Sequence, residues 1–314
     1  MNTNDLIKGL HHVTATVNDA QEDYDFYTHV LGLRLVKKTV NFDNNQVYHF
    51  YYGTEEGTPG TIMTTFPYKG QGVRDGINGT GQVSHTAFSV PSSALAFWKT
   101  RLESFNIEFE EQVKFRQSVV SFKDPSGLLL ELVANDDDDR PIWRTDEVAA
   151  EYAIKGFHHV ILSVAELEPT QDFLINEFGF KKVGTEGNIT RFAAQNRGAG
   201  QLVDISLDTD KQRGLNGIGT VHHVAWRVES DEALLAMRHR LVEELGFRVT
   251  EVKDRNYFHS IYFRMPGHVL FEIATVPPGF AIDEPLEALG QELKLPKWEE
   301  PNREQIESVL QQLN

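Results

Sequence analysis

The chain has 314 residues, room for two ordinary domains, and 40% of them are hydrophobic, enough for sizeable cores. A formal net charge of -16 at pH 7 sets aside nucleic acid and anionic membrane as partners, because like charges repel. The chain has no cysteine, which excludes disulfides, zinc–thiolate centres and a thiol nucleophile. Residues 1–8 carry no apolar signal core and no run of about 18 apolar residues occurs, so a soluble cytoplasmic protein is the expectation.

Taken in order, the chain uses one unit four times. Four segments begin alike: Gly9-Leu-His-His-Val-Thr14, Gln82-Val-Ser-His-Thr-Ala87, Gly156-Phe-His-His-Val-Ile161 and Thr220-Val-His-His-Val-Ala225. Aligned on the second position of each pair they give His12, His85, His159 and His223, at intervals of 73, 74 and 64 residues. Each start reads as an apolar strand, and a helical stretch follows it. The first helix is expected from about Asn18 to Leu31, stopping at Gly32. The second runs from Ser92 to Phe105, with Pro91-Ser-Ser in the manner of an N-cap. The third covers Glu168 to Phe178 and stops at Gly179; the fourth covers Ser230 to Leu245 and stops at Gly246. Extended segments rich in Val, Phe, Tyr and Ile come next, such as Val47 to Tyr52 and Ser260 to Arg264. The unit is therefore a strand, a helix and about three strands: four βαβββ modules and an α+β fold.

Two units end in a matching turn. Asp124 to Glu131 and Met265 to Glu272 each place a glutamate six residues after a proline. The equivalent strands of the first and third units offer Thr64 and Thr65, and Asp204. Between the halves, Asn135-Asp-Asp-Asp-Asp-Arg-Pro141 reads as a solvated linker. It divides the chain into 1–139 and 150–280, two modules each. The tail, 281–314, reads as irregular and then helical from Arg303 to Leu313, packed over a domain edge.

Two histidines and one carboxylate, each on a strand, suit a divalent metal bound on one face and open on the other. A single strand histidine is usually a satisfied core residue. Recurrence at repeat-equivalent positions argues otherwise for His12, His223 and Glu272. Glu272 lies in the apolar run Val269 to Ala274, where a bare carboxylate is costly to bury and a metal would supply the missing charge. Glu131, in Leu128 to Val133, poses the same question, and a hydrogen-bonded or charge-paired carboxylate is expected there. His85, His159 and Glu131 make a formal second triad, although Ser84 stands where the other units have a first histidine. Adjacent strand residues point to opposite faces, so His11 and His222 join their partners at one metal only if the strand is bulged or an edge intervenes. Packing and acid–base work both stay open for them. By default Arg255, in a polar loop, is a surface cation and Tyr262 a core tyrosine. Tyr48, Phe50 and Tyr52 are candidates for pocket walls or for core.

The fourfold pattern resembles the vicinal oxygen chelate superfamily, which holds glyoxalase I, bleomycin-resistance proteins and extradiol dioxygenases. The resemblance covers essentially the whole chain and implies modules paired into two open cup-shaped barrels around a metal. More closely, the chain is similar to the hydroquinone-type ring-cleaving dioxygenases, in Gly9 to Thr14, Val30 to Lys37, Thr39 to Asp43, Asp254 to Phe258 and Ile273 to Phe280. That similarity implies an Fe(II) site from the first and fourth units, with His12, His223 and Glu272 as ligands. It also implies a pocket lined by His11, Thr14, His222, Arg255 and Tyr262. His222 would move protons, while Arg255 and Tyr262 would hold a developing anion. Iron is implied because such enzymes cleave aromatic rings with O2; Mn(II) is a substitute. The expected partners are a small aromatic and O2, with a homo-oligomer left open. Catechol-cleaving members would instead draw His159, His223 and Glu272 from the second half. Two other readings share the scaffold: a glyoxalase-like lyase or isomerase, and a binding protein that sequesters an aromatic or antibiotic. Such lyases complete the metal with a further carboxylate, where this chain shows Thr64 and Thr65.

Overall fold

The structure is a computed structural model and describes residues 5–194 and 198–314. The first unit contains β1 (Leu10–Val17), α1 (Ala20–Asp25), β2 (Arg34–Asn41), β3 (Asn44–Gly53) and β4 (Ile62–Pro67). The second contains β5 (Gln82–Val90), α2 (Leu95–Ser104), β6 (Phe109–Lys114), β7 (Gln117–Lys123) and β8 (Leu129–Ala134). The third contains β9 (Phe157–Val164), α3 (Leu167–Asn176), β10 (Lys181–Glu186), β11 (Ile189–Ala193) and β12 (Leu202–Leu207). The fourth contains β13 (Thr220–Val228), α4 (Asp231–His239), β14 (Lys253–Asp254), β15 (Phe258–Arg264) and β16 (Leu270–Pro278). α5 (Arg303–Val309) lies in the tail. No helix among the described residues is long and apolar enough to cross a membrane.

The helices are shorter than expected because their ends tighten or loosen. α1 and α4 each continue into one π-helical turn, Phe26–Val30 and Arg240–Glu244. Asp19 and Ser230 cap them, their side chains accepting from Gln21 and Glu22 N–H and from Ala233 N–H. The serine cap expected for the second helix is not formed. Ser92 opens a 3-10 turn, α2 starts after it without a side-chain cap, and the Ser92 N–H and hydroxyl both go to Asp136. Gly32, Gly179 and Gly246 stop the helices at positive φ (67°, 69° and 70°), as a left-handed C-terminal stop requires.

The strands form two curled eight-stranded sheets. One runs β14-β15-β16-β13-β1-β4-β3-β2 and the other β10-β11-β12-β9-β5-β8-β7-β6. The first unit therefore pairs with the fourth, and the second with the third. Each sheet is closed at its middle by one antiparallel seam, β1 on β13 and β5 on β9. The division expected at 1–139 and 150–280 follows the chain, whereas the hydrogen bonding runs across it. One main core, with Trp98, Trp226, Phe157 and Phe271 fully buried, runs through both sheets.

The acidic stretch between the halves is not simply solvated. Asp138 is buried and holds Arg140 (2.7 Å), whose guanidinium donates to Gly60 O (3.0 Å) and Phe157 O (2.7 Å). It thereby ties the first-unit loop to β9 of the other sheet. The tail caps the β2 edge: Lys294 N–H donates to Lys38 O (2.9 Å), and Leu295, Ile306 and Leu310 pack on Val40.

Candidate metal centre

The seam places three side chains on one face. β1 and β16 flank β13, so His12, Ala225 and Glu272 stand in one line across the sheet. His223 precedes Ala225 by two residues and so shares its face. His12 Nε2 lies 3.0 Å from Glu272 Oε2, His223 Nε2 lies 2.8 Å from the same oxygen, and the two nitrogens are 3.3 Å apart. Donors about 2.1 Å from one ion at right angles to each other stand about 3.0 Å apart, so the trio has the spacing of three ligands on one face of a metal. Among the described residues it is the one grouping that fits a metal.

The doubled histidines are explained by bulges. β1 advances from Leu10 to His12 while β13 moves one residue, leaving His11 as the extra residue. His222, His158 and Ser84 are extra in the same way. The bulge lets both members of a pair turn together, so the first holds the second. Nδ1 of His11 is 2.9 Å from Nδ1 of His12, that of His222 is 2.7 Å from His223, and that of His158 is 2.8 Å from His159. In the remaining unit Ser84 Oγ takes the place, 3.0 Å from His85 Nδ1.

The pairing also fixes a proton. His11 Nε2 donates to Thr275 O (3.1 Å), so it carries the hydrogen. Burial, aided by His12, holds the His11 ring down at about 3, so it is neutral and its Nδ1 is bare. That nitrogen accepts from His12 Nδ1–H, which leaves a lone pair on His12 Nε2, facing Glu272. Burial pushes the Glu272 carboxyl up, and only positive charge at the place of His12 and His223 holds it well below the usual carboxylate range, charge that a metal supplies when both rings are neutral. Glu272 Oε2 has no hydrogen-bond partner of its own. An anionic oxygen packed against an imidazole lone pair in a buried site is the environment a divalent cation satisfies. The donor set and its spacing fit one.

His12 and His223 line a cavity of about 370 Å³, and Glu272 lies behind its wall, reached through Tyr262. Tyr262 donates to Glu272 Oε1 (2.9 Å) and accepts from Arg255 Nε (3.1 Å). Burial and then Glu272 push the Tyr262 hydroxyl up, so it stays a donor. Arg255 also donates to Asp43 (3.0 Å), an exposed residue of the β2–β3 turn. Arg255 is therefore a half-sequestered cation that bridges the first and fourth units, and Tyr262 touches the ligand carboxylate. His222 lines the cavity too, its ring held down at about 3 by burial and by His223. His11 and Thr14 stand behind the wall; Thr14 accepts from Thr64 Oγ1 (2.8 Å).

His49 escaped the sequence reading. Its ring lines the cavity, Nδ1 accepting from Tyr51 Oη (3.0 Å) and Nε2 donating to Thr64 Oγ1 (3.0 Å). The signal was the two-residue period of β3. Phe50 and Tyr52 face the core, with Tyr48 packed against it, so the alternate residues His49 and Tyr51 face the pocket.

The second sheet brings its counterparts together differently. His159 Nε2 lies 3.3 Å from Asp204 and 3.8 Å from Glu131. Arg191 clamps Asp204 through two hydrogen bonds (2.7 and 2.8 Å), and Lys114 Nζ lies 2.5 Å from Glu131. Both carboxylates are thus neutralised by the protein, and His85 does not join them. The wide groove beside His85, about 1020 Å³, collects no such donor set either.

This architecture is one of paired βαβββ units, with two histidines and a glutamate that could hold a metal converging from the outer pair. The sequence model of the Glyoxalase/Bleomycin resistance protein/Dioxygenase superfamily matches residues 9–132 and 156–273. The chain belongs to that superfamily. It is 47% identical over 302 residues to MhqO of Bacillus subtilis (strain 168), provisionally named a ring-cleaving dioxygenase, covering 96% of this chain and 95% of that one. It is 38% identical over 296 residues to the chlorohydroquinone/hydroquinone 1,2-dioxygenase of Sphingobium indicum, covering 92% and 91%. A crystal structure from Bacillus subtilis subsp. subtilis str. 168, provisionally titled a dioxygenase, superposes with a TM-score of 0.93 at 46% identity over 98% of both chains.

Proposed function

We propose that this protein is a metal-dependent dioxygenase that opens the ring of hydroquinone-like aromatics with O2, using Fe(II) or, in its place, Mn(II). One observation carries the reading. Three donors from opposite ends of the chain converge, two of them on the wall of a cavity that also presents a phenol and a guanidinium. Fe(II) held by His12, His223 and Glu272 would bring a phenolic oxygen and O2 together and pass electrons between them.

The remaining chemistry belongs to the side chains. The Arg255 charge, one hydroxyl away from Glu272, stabilises a phenolate or a reduced-oxygen anion in the cavity, and Tyr262 donates to the same oxygens once its hydrogen turns away from Glu272 Oε1. His222, neutral and on the wall, accepts the substrate proton. His11 acts through His12: it sets the tautomer that leaves Nε2 free. Phe66 and Phe258 offer apolar surface to the ring.

The lyase reading is less well supported. Where a further carboxylate would stand, Thr64 spends its hydroxyl on Thr14 and His49. Binding without metal leaves Glu272 Oε2 unpaired in a buried site. The test is anaerobic loading with Fe(II), then oxygen uptake with methylhydroquinone. Stoichiometric uptake with ring opening supports the proposal. No uptake, together with turnover of a hemithioacetal, overturns it in favour of the lyase.

A further inference from the structure

A second cavity, about 630 Å³, lies beside the metal pocket. Its walls are largely apolar, with Ile62, Phe258, Pro277, Phe280, Leu286 and Leu289, and the neutral His11 ring stands among them. Exposed Glu56 and Glu229 mark its outer rim. Phe258 is the one residue that lines both this cavity and the pocket of His12, His223 and Glu272. Its ring centroid is 5.1 Å from that of His11 and 5.2 Å from that of His12, so the partition between the cavities is one aromatic side chain thick. Beside it the partition continues through Tyr51, on the pocket side, whose ring packs 5.1 Å from that of Phe280 on the far side.

The cavity is built, not left over. Its roof is the segment after β16, from Phe280 to Leu289, and β2 pins that segment from below. Lys37 is fully buried, and its ammonium is held by Glu284 and by Asp283 (2.6 Å), while Tyr257 also donates to Asp283 (3.0 Å). Arg34 donates to Leu286 O (2.6 Å) and to Glu55 O (2.7 Å) on either side of the opening. Gly290 lies so close to β2 that a Cβ there would stand 1.9 Å from Leu35 O. A buried lysine held by two carboxylates resists the collapse that an unsupported apolar void would undergo.

We propose that this second cavity is the entry chamber for molecular oxygen, separate from the way in for the aromatic. The proposal rests on the functional reading above, which makes O2 the second reactant. The aromatic fills the metal pocket, whose mouth carries the Arg255–Asp43 ion pair. A second reactant entering by that mouth would have to pass both the ion pair and the bound ring. O2 is small and apolar, gains from apolar surroundings, and needs no hydrogen bond that the cavity would have to supply. A rotation of Phe258 joins the chamber to the metal pocket on the His12 side without disturbing Arg255 or Tyr262.

Xenon, an apolar probe that occupies dry cavities, tests the chamber without turnover. Crystals of the metal-loaded protein pressurised with xenon should show an atom against Phe258, Phe280 and Leu289. The kinetic arm uses Leu289→Trp, which fills the chamber at its roof and touches no group in the metal pocket. It should raise the KM for oxygen roughly fivefold or more while metal content and the KM for methylhydroquinone stay unchanged. Leu286→Phe, a smaller filling, should give a smaller rise and guards against a misfolded first variant. An empty chamber under xenon, or a folded, metal-loaded Leu289→Trp with the wild-type oxygen KM, overturns the route. A rise in the KM for an alkyl-substituted hydroquinone, with that for oxygen unmoved, also overturns it and makes the chamber a substrate arm site. A wild type that takes up no oxygen with any hydroquinone overturns the functional reading itself; that result is distinguishable because the variants then have no activity to compare.

Discussion

The two sheets were built from the same unit and have parted at their centres. In the sheet of the first and fourth units, three donors meet with nothing between them: His12, His223 and Glu272. In the other sheet the equivalent carboxylate, Glu131, is met by Lys114, and Asp204, at the position of Thr64, is clamped by Arg191. Protonation differs as well. Gln117 has its amide turned by Arg191 and Ala134 O, so its N–H faces His158 Nε2 (3.1 Å). His158 then carries its hydrogen on Nδ1 and donates to His159, which leaves an N–H on His159 Nε2, pointed at the carboxylates. His11, anchored the opposite way on Thr275 O, leaves a lone pair on His12 Nε2. One anchoring bond behind the first histidine thus separates the proposed ligand from a structural ring, and a lysine or an arginine supplies the charge that a metal would.

The largest effects that break the comparison are at the carboxylates. Glu272→Ala and His223→Ala should lose bound iron and turnover while the protein stays folded; iron retained in both, by elemental analysis, would reject the assignment. Glu131→Ala should keep both iron and turnover, but leave Lys114 facing a buried site at a cost of about 3 kcal/mol in denaturant unfolding. Arg255→Ala should keep iron and lower kcat about 100-fold, and an unchanged kcat would remove the guanidinium from the chemistry. His11→Ala should weaken iron binding roughly 10- to 100-fold through the tautomer of His12, whereas His158→Ala should leave it untouched; competitive chelator titration reads both. Equal effects in the two variants would refute the difference drawn between the pairs.

The smallest effect concerns the contact between the first and second units, where the two sheets meet. Burial pushes Asp23 up to about 8, against the hydroxyls of Thr65 and Tyr52 that partly offset it. Burial likewise pushes Asp124, which accepts from Tyr27, up to about 7. The folded state keeps protons that an unfolded carboxyl, near 3.8, gives up. The stability these two carboxyls contribute is then full in acid, falls as pH rises through about 4 to 8, and levels off above, while the buried neutral histidines act in the opposite direction. The Tm of Asp23→Asn relative to wild type should therefore rise between pH 5.5 and 8.5; a difference that stays constant across that range would contradict the Asp23 shift.

The repeat, the helices, the histidine pairs and the glutamate brought to them are legible because each rests on a local pattern: a His-His pair in an apolar strand, a glycine stop, a glutamate after a proline turn. The doubled histidines posed a question of parity that only the bulges resolve, since an extra residue leaves no mark in composition. The aromatic strand leaves its rings open between pocket wall and core, and the structure puts them in the core. Tyr48, Phe50 and Tyr52 drew attention as large rings, while the period of two assigned the pocket to His49 and Tyr51. The acidic stretch before Pro141 was read as solvated because its buried partner groups, Gly60 O and Phe157 O, are backbone atoms far along the chain. Lys114 and Arg191 could not be foreseen as the second sheet's cations. Their partners are set by which edges pair, and that is decided across the whole fold.

The central claim is that one ion is shared by strands from the two ends of the chain and that the other sheet holds none. Anomalous diffraction at the iron edge, on crystals loaded anaerobically with Fe(II), tests it directly. The account predicts one peak per chain, within bonding distance of His12 Nε2, His223 Nε2 and Glu272 Oε2. A peak among His159, Glu131 and Asp204 instead, or His12 and His223 standing too far apart to reach one peak, would contradict it.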